Sequence, residues 1–227
     1  MTYECLLNLI KEKSTTEYKN FNSRIVKTET EILGCRNPDL RAIARKCADE
    51  YENILTFPVN EFYEVDMIKG FVICFAKISL DEKLSLLRDY LPYVENWAVC
   101  DSVNSALKVK DNDLEKLWNF ALTLTGSEKI FTIRFGLNIF MQYFLDESHI
   151  DKILATVDNL KFDEYYLDMG AAWLLSIAFI KCRDKTVEYI NGKNNLTKFV
   201  RNKALQKVRE SFRVSESDKE MAKNMKI

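Results

Sequence analysis

The residue types able to do chemistry in this chain are carboxylates, indoles and guanidinium groups. Trp97 and Asp101 stand four residues apart in NWAVCD, a spacing that puts both on one face of a helix. Arg134 follows FTI and precedes FGL, a cation inside a strongly apolar stretch. Trp173 lies in AAWLL, where Ala171 and Ala172 leave its ring room to project. A carboxylate stabilises positive charge that grows in a transition state and can orient an attacking water. Indole faces attract cations. Brought together, these side chains would suit a reaction that passes through a cation. Residue type alone ranks the structural explanations first: a helical Trp is ordinarily core, as Trp118 in KLWNFAL reads, Asp101 could cap its helix, and Arg134 could pair with Glu128.

Other chemistries lack their residues. His149, in the charged turn DESHIDK, is the one histidine, so Ser-His, Cys-His and zinc arrangements have no support. The sequence holds no G-x-x-x-x-G-K-[ST], no G-x-G-x-x-G after a strand and no G-x-S-x-G. Six cysteines lie far apart without a CxxC pair, mostly in apolar helical patterns, which reads as reduced core thiols rather than a metal site or disulfide framework. No metal and no cofactor is expected.

Basic and acidic residues balance, 33 against 34, for a net charge of −1. Any surface for nucleic acid must therefore be local. The first residues, MTYECLLNLIKEK, do not read as a signal peptide, and the most apolar stretch, residues 70–80, is too short to cross a membrane. A soluble cytoplasmic protein is expected, with no membrane partner.

The elements that must position the candidates read as helices. Only 6 Gly and 3 Pro occur, which argues against a β-sandwich or barrel. Apolar spacing predicts helices over 3–13, 15–26, from Asn37 to about Asn53, 61–77, from Asp81 to Tyr90, 97–108, from Asp111 to Leu124, from a Ser127 cap to Leu145, and over 148–160, 162–181, 184–190 and 196–212. Asn37, Pro38 and Asp39 mark one start with a cap, a fitting first residue and a charge suited to the positive helix end. FYEVDMIKGFVICFA, IFTIRFGLNIFMQYF and YYLDMGAAWLLSIAF read as versions of one unit, a long helix opening on aromatics, repeating about every 35 residues. The fold expected is an all-α array: an α-α superhelix of HEAT-like antiparallel helix pairs with a concave face, one domain over 1–227 with a frayed polar tail at 214–227.

LGCRNPDLR, NWAVCD, an Arg early in the next helix, an AAWLL helix and RNKALQKVRESFRVS occur in the order and spacing of a known family. From about Ile32 to Ser215 the chain resembles the AlkD-type DNA alkylation repair family, DNA glycosylases built of HEAT-like repeats. Asn96 and Ala98 stand where fuller members have a second Trp and another acid, and the segment before Leu33 reads as short. The resemblance implies a catalytic set of Asp101, Trp97, Trp173 and Arg134. It implies DNA-phosphate contacts from the late basic helix, Arg201, Lys203 and Lys207. The implied partner is double-stranded DNA with alkylated bases, bound by a monomer that is nucleoid-associated when on DNA.

The implied chemistry suits the residues. A purine alkylated at a ring nitrogen, such as 7-methylguanine or 3-methyladenine, is already a cationic leaving group, so no histidine acid is needed. Asp101 would stabilise the deoxyribose cation, Trp97 and Trp173 would pack on the lesion, and Arg134 would hold the backbone. Two other readings remain open at this point. One is a non-catalytic, DNA-binding member of the same family. The other is a helical scaffold for a protein partner, which the balanced charge favours.

Overall fold

The computed structural model describes residues 1–226. Every regular element among them is a helix, which bears out the all-α class, and the only extended pairings are two isolated bridges, Ser14 with Cys35 and Glu31 with Phe62. The chain packs as two compact units, Met1–Asp113 and Leu114–Ile227.

The first unit contains α1 (Tyr3–Lys13), α2 (Thr16–Ile25), α3 (Asn37–Lys46), α4 (Tyr51–Leu55), α5 (Tyr63–Phe75), α6 (Leu80–Tyr90) and α7 (Trp97–Ala106). Side-chain oxygens cap four of these starts: Thr2 accepts from the Cys5 N–H, Thr15 from Tyr18, Ser79 from Glu82 and Asn96 from Val99. Each satisfies an N–H that the first helical turn leaves without a partner. Helix α5 is the centre of the unit. It packs against α3, α4, α6 and α7, and every residue from Tyr63 to Cys74 is buried. Gly70 makes its closest crossing possible, because a Cβ there would lie 2.3 Å from Cγ2 of Val103 on α7 and 2.9 Å from the Tyr90 hydroxyl.

Three sequence expectations are corrected here. The helix expected from Asn37 to Asn53 breaks at Cys47, and a 3₁₀ turn over Ala48–Glu50 turns Ala48 inward and sets Glu50 against the N-terminal ammonium. Asn37 is not the cap of α3. Arg36 holds that position without a side-chain bond, and the Asn37 amide is spent elsewhere, on Ser102. Ser79, not Asp81, caps α6.

Asp66 on α5 yields a pH prediction. It is 9% exposed, its carboxylate accepts the Asn60 N–H at 3.1 Å, and burial raises its pKa from 3.8 to about 6. An acid with a raised folded-state pKa binds its proton more tightly when folded. Stability therefore falls as pH rises from about 4 to about 6 and stays lower above that, by roughly 2–3 kcal/mol. Asp66→Asn removes the penalty. Its melting temperature should exceed that of the wild type at pH 8, and the gap should close below about pH 4. Parallel melting curves at both pH values would contradict this.

The second unit contains α8 (Leu114–Thr125), α9 (Ile130–Tyr143), α10 (Ile150–Asp158), α11 (Tyr165–Lys181), α12 (Arg183–Asn191), α13 (Lys198–Glu210) and α14 (Glu216–Asn224). Helix α9 packs on α8 and α11, and α11 on α13. Lys129 precedes α9 as its cap residue; Ser127, expected there, instead accepts the Lys129 N–H through its hydroxyl. Trp118 is core as expected, its ring meeting Phe140, Phe144 and His149 at centroid distances of 5.0, 5.1 and 4.9 Å. The tail expected to fray is α14 through Asn224. Ser215 caps it, Asp218 pairs with Arg183 at 2.7 Å, and Ala222 and Met225 join a core with Phe179, Leu205 and Val208. Residue 227 lies outside the described residues.

Cys35, Cys47, Cys74, Cys100 and Cys182 are buried, Cys5 is exposed, and none of the six is in a disulfide. Burial pushes Cys35 and Cys74 up to about 12. Among the described residues no helix is long and apolar enough to cross a membrane, and no group of three or more His, Cys, Asp or Glu could hold a metal ion.

Candidate functional site

Trp97 opens α7 and Asp101 follows one turn later. Both are half-buried, and both line one cavity of about 170 Å³ inside the first unit. The Asn96 side chain caps the helix, which leaves Asp101 in its interior and removes the explanation of Asp101 as a cap. The Trp97 ring is not core either. Its indole N–H donates to the Ile25 carbonyl at the end of α2, 3.4 Å away.

A polar lattice fixes α7 beside Asp101. Arg41 on α3 donates through Nη2 to the Ser102 carbonyl at 2.9 Å and to the Ser105 hydroxyl at 2.7 Å. Its Nε donates to Asn37 Oδ1 at 2.7 Å, and Asn37 Nδ2 donates to the Ser102 hydroxyl at 2.8 Å. The same guanidinium lies over the Phe71 ring, 4.6 Å from its centroid. Burial lowers the Arg41 pKa from its ordinary value, yet arginine stays charged at neutral pH. Asp101 thus sits on a rigid turn, the condition under which a carboxylate can act without reorganising.

A buried carboxylate holds another wall of this cavity. Glu64 on α5 is fully buried and accepts the backbone N–H groups of Leu33, Gly34 and Cys35 at 2.9, 2.7 and 3.2 Å. Burial raises its pKa against the lowering effect of those donors. Gly34 has φ +99°, which side chains rarely adopt, and a Cβ there would lie 2.5 Å from the Thr15 carbonyl. The LGC segment is therefore pinned between α2 and α5, and its Cys35 lines the cavity.

The remaining expected residues belong to the second unit. Arg134 on α9 is 6% exposed, and its Nη1 donates to the Tyr166 carbonyl at 2.8 Å. Its side chain packs on Gly170, where an added Cβ would lie 3.2 Å from Nη1. Tyr166 and Gly170 both lie on α11, the helix of Trp173, so Arg134 braces that helix. Trp173 is half-buried between the fully buried Ala172 and Leu174. On α13, Arg201, Lys203 and Lys207 are all half-buried, while Leu205 and Val208 turn into the core. Arg201 Nη2 donates to the Met225 carbonyl at 3.1 Å, and Lys203 donates to Gln206 at 2.9 Å.

Residue types missed in the sequence form a chain of rings beside Lys203. Phe131 meets Tyr166, Tyr166 meets Tyr165 and Tyr165 meets Phe199 at centroid distances of 5.6, 5.3 and 6.0 Å. Tyr165 is 59% exposed, and Lys203 Nζ lies 5.8 Å from the Phe199 centroid. The signal was the aromatic pair that opens each long helix, which marked the repeat but did not say which rings stay at the surface.

The family model described as DNA alkylation repair enzyme matches residues 6–208. No curated protein and no solved structure matches the chain. The matched span takes in the cavity of Trp97 and Asp101, the brace of Arg134 and the basic helix α13, and the chain belongs to the DNA alkylation repair enzyme family.

Proposed function

We propose that this protein is a DNA glycosylase that removes cationic N-alkylated purines from duplex DNA. The observation that carries the reading is the pairing of Trp97 and Asp101 on one rigid turn of α7, both facing one cavity, in a chain of this family. Loss of the base leaves positive charge on the deoxyribose. Asp101 stabilises that charge and orients the water that attacks the sugar carbon. The C–N electron pair leaves with the alkylated base, which becomes neutral, and the attacking water keeps one proton as the new sugar hydroxyl and gives the other to solvent.

Trp97 packs against the cationic lesion. Arg134 is a positioning residue, since its guanidinium is used on α11. Lys203 and Lys207 carry the phosphate contacts, with Arg201 beside them on α13. Phosphate contacts make duplex affinity fall with salt.

Release of 7-methylguanine from methylated duplex DNA tests the reading directly. Lys203→Glu with Lys207→Glu should weaken duplex binding at least tenfold at low salt and flatten its salt dependence. Unchanged affinity would remove α13 from the interface. A folded wild type that releases no base but binds duplex with a salt-dependent affinity would be a non-catalytic family member. One that binds no DNA would be a scaffold.

A further inference from the structure

Helix α11 leaves one row of side chains uncovered. From Leu167 to Phe179 every residue is buried except Met169, Trp173 and Ile177, which follow one another at intervals of four. Tyr165, 59% exposed, opens the same row. Residues four apart lie along one side of a helix, so the row is a continuous apolar stripe. Helix α13 packs against α11 and carries a row of the same spacing, Phe199, Lys203 and Lys207, with Phe199 40% exposed. The two rows meet at their first members, where the Tyr165 and Phe199 ring centroids lie 6.0 Å apart.

The stripe is held from behind. Tyr165 packs on Tyr166, Tyr166 packs on the buried Phe131 of α9, and Arg134 binds the Tyr166 carbonyl. Rings fixed in this way lose little freedom when a partner covers them. The charges beside them narrow the partner. Helix α13 holds Lys198, Arg201, Lys203, Lys207 and Arg209 against one acid, Glu210, and Lys203 Nζ lies 5.8 Å from the Phe199 centroid. An anionic partner is favoured along α13. Asp163 and Glu164, exposed just ahead of Tyr165, repel it on the other side. What fits is a polymer that alternates anionic groups with apolar faces, the pattern of a sugar–phosphate strand. Its phosphates suit the lysines and its deoxyribose C–H faces suit the rings.

We infer that Tyr165 and Phe199, with Met169 and Trp173 following Tyr165 in its row, form an apolar contact for the deoxyribose edge of a DNA strand whose phosphates run along Lys203 and Lys207. The choice of DNA as occupant rests on the DNA repair reading. The rings then supply a part of the duplex affinity that carries no charge. Lysine contacts to phosphate release counterions and weaken with salt, whereas ring contacts to sugar release none. The two contributions therefore separate in one experiment.

Duplex affinity of the whole protein, measured by fluorescence anisotropy over a range of salt, is compared between wild type and Tyr165→Ser with Phe199→Ser. The expected result is an affinity about tenfold weaker at every salt concentration, with the salt slope unchanged. Tyr165→Phe with Phe199→Tyr keeps both rings and should bind as wild type does. Unchanged affinity in the serine variant, or no duplex binding by wild type, would overturn the inference. So would a loss that comes with a flatter salt slope, since the rings would then only position Lys203. So would a wild type that self-associates beside a serine variant that does not, since the occupant would then be a second copy of the chain. If the double variant melts well below wild type, Tyr165→Ser alone decides, and unchanged affinity there again overturns the inference. Base release from methylated DNA is scored separately. Excision with an affinity that ignores the rings sinks the inference and keeps the glycosylase, and ring-dependent binding without excision does the reverse.

Discussion

Asp101→Asn is expected to cut release of 7-methylguanine from methylated duplex DNA by about 10²–10³-fold, the usual effect of removing one preorganised electrostatic group from a transition state. The substitution keeps shape and removes charge. Asp101 lies inside α7, whose start is capped by Asn96, so the helix does not depend on it for a terminus. Ser102, its neighbour, is held by Asn37 and Arg41, so the turn stays in place. The fold and duplex affinity should therefore survive while the chemical step fails. Single-turnover excision and duplex binding, measured on the same preparation, separate the two effects. A variant that excises at the wild-type rate would take Asp101 out of the reaction.

The second large effect is on stability. Glu64→Ala strands the backbone N–H groups of Leu33, Gly34 and Cys35, the last two buried, and should cost about 3–5 kcal/mol. For a chain of this size that is a fall in melting temperature of roughly 10 °C. Glu64→Gln keeps an acceptor and should lose less. Gly34 cannot take up the slack, because its φ of +99° and the nearby Thr15 carbonyl leave the loop one path. Urea unfolding of both variants gives the comparison. A loss below 1 kcal/mol in Glu64→Ala would mean the loop finds other partners.

Local sequence gave away whatever depends on neighbours in the chain. Thr15 and Pro38 marked helix starts, and apolar spacing marked the helix over 61–77 that contains α5. Trp118 read as core because its helix is apolar on that side. The Trp97 and Asp101 pair was legible as a shared helical face, but the motif did not reveal its partners. Glu64 looked like one more charge near a helix start, since its three N–H donors lie about thirty residues away. Arg134 was assigned to the DNA backbone through the family resemblance, and its bond to the Tyr166 carbonyl on α11 is a contact that sequence cannot announce. The tail misled because its two buried residues, Ala222 and Met225, are sparse among charges.

The buried thiols have a consequence for a protein that meets alkylating chemistry. Electrophilic methyl donors react with thiolate, not thiol. With Cys35 and Cys74 pushed up to about 12, both stay thiols at pH 7. Cys35 is a wall of the cavity beside Asp101, so a methyl group there would intrude on the site itself. The burial that packs the core thus also keeps these two thiols in their unreactive form.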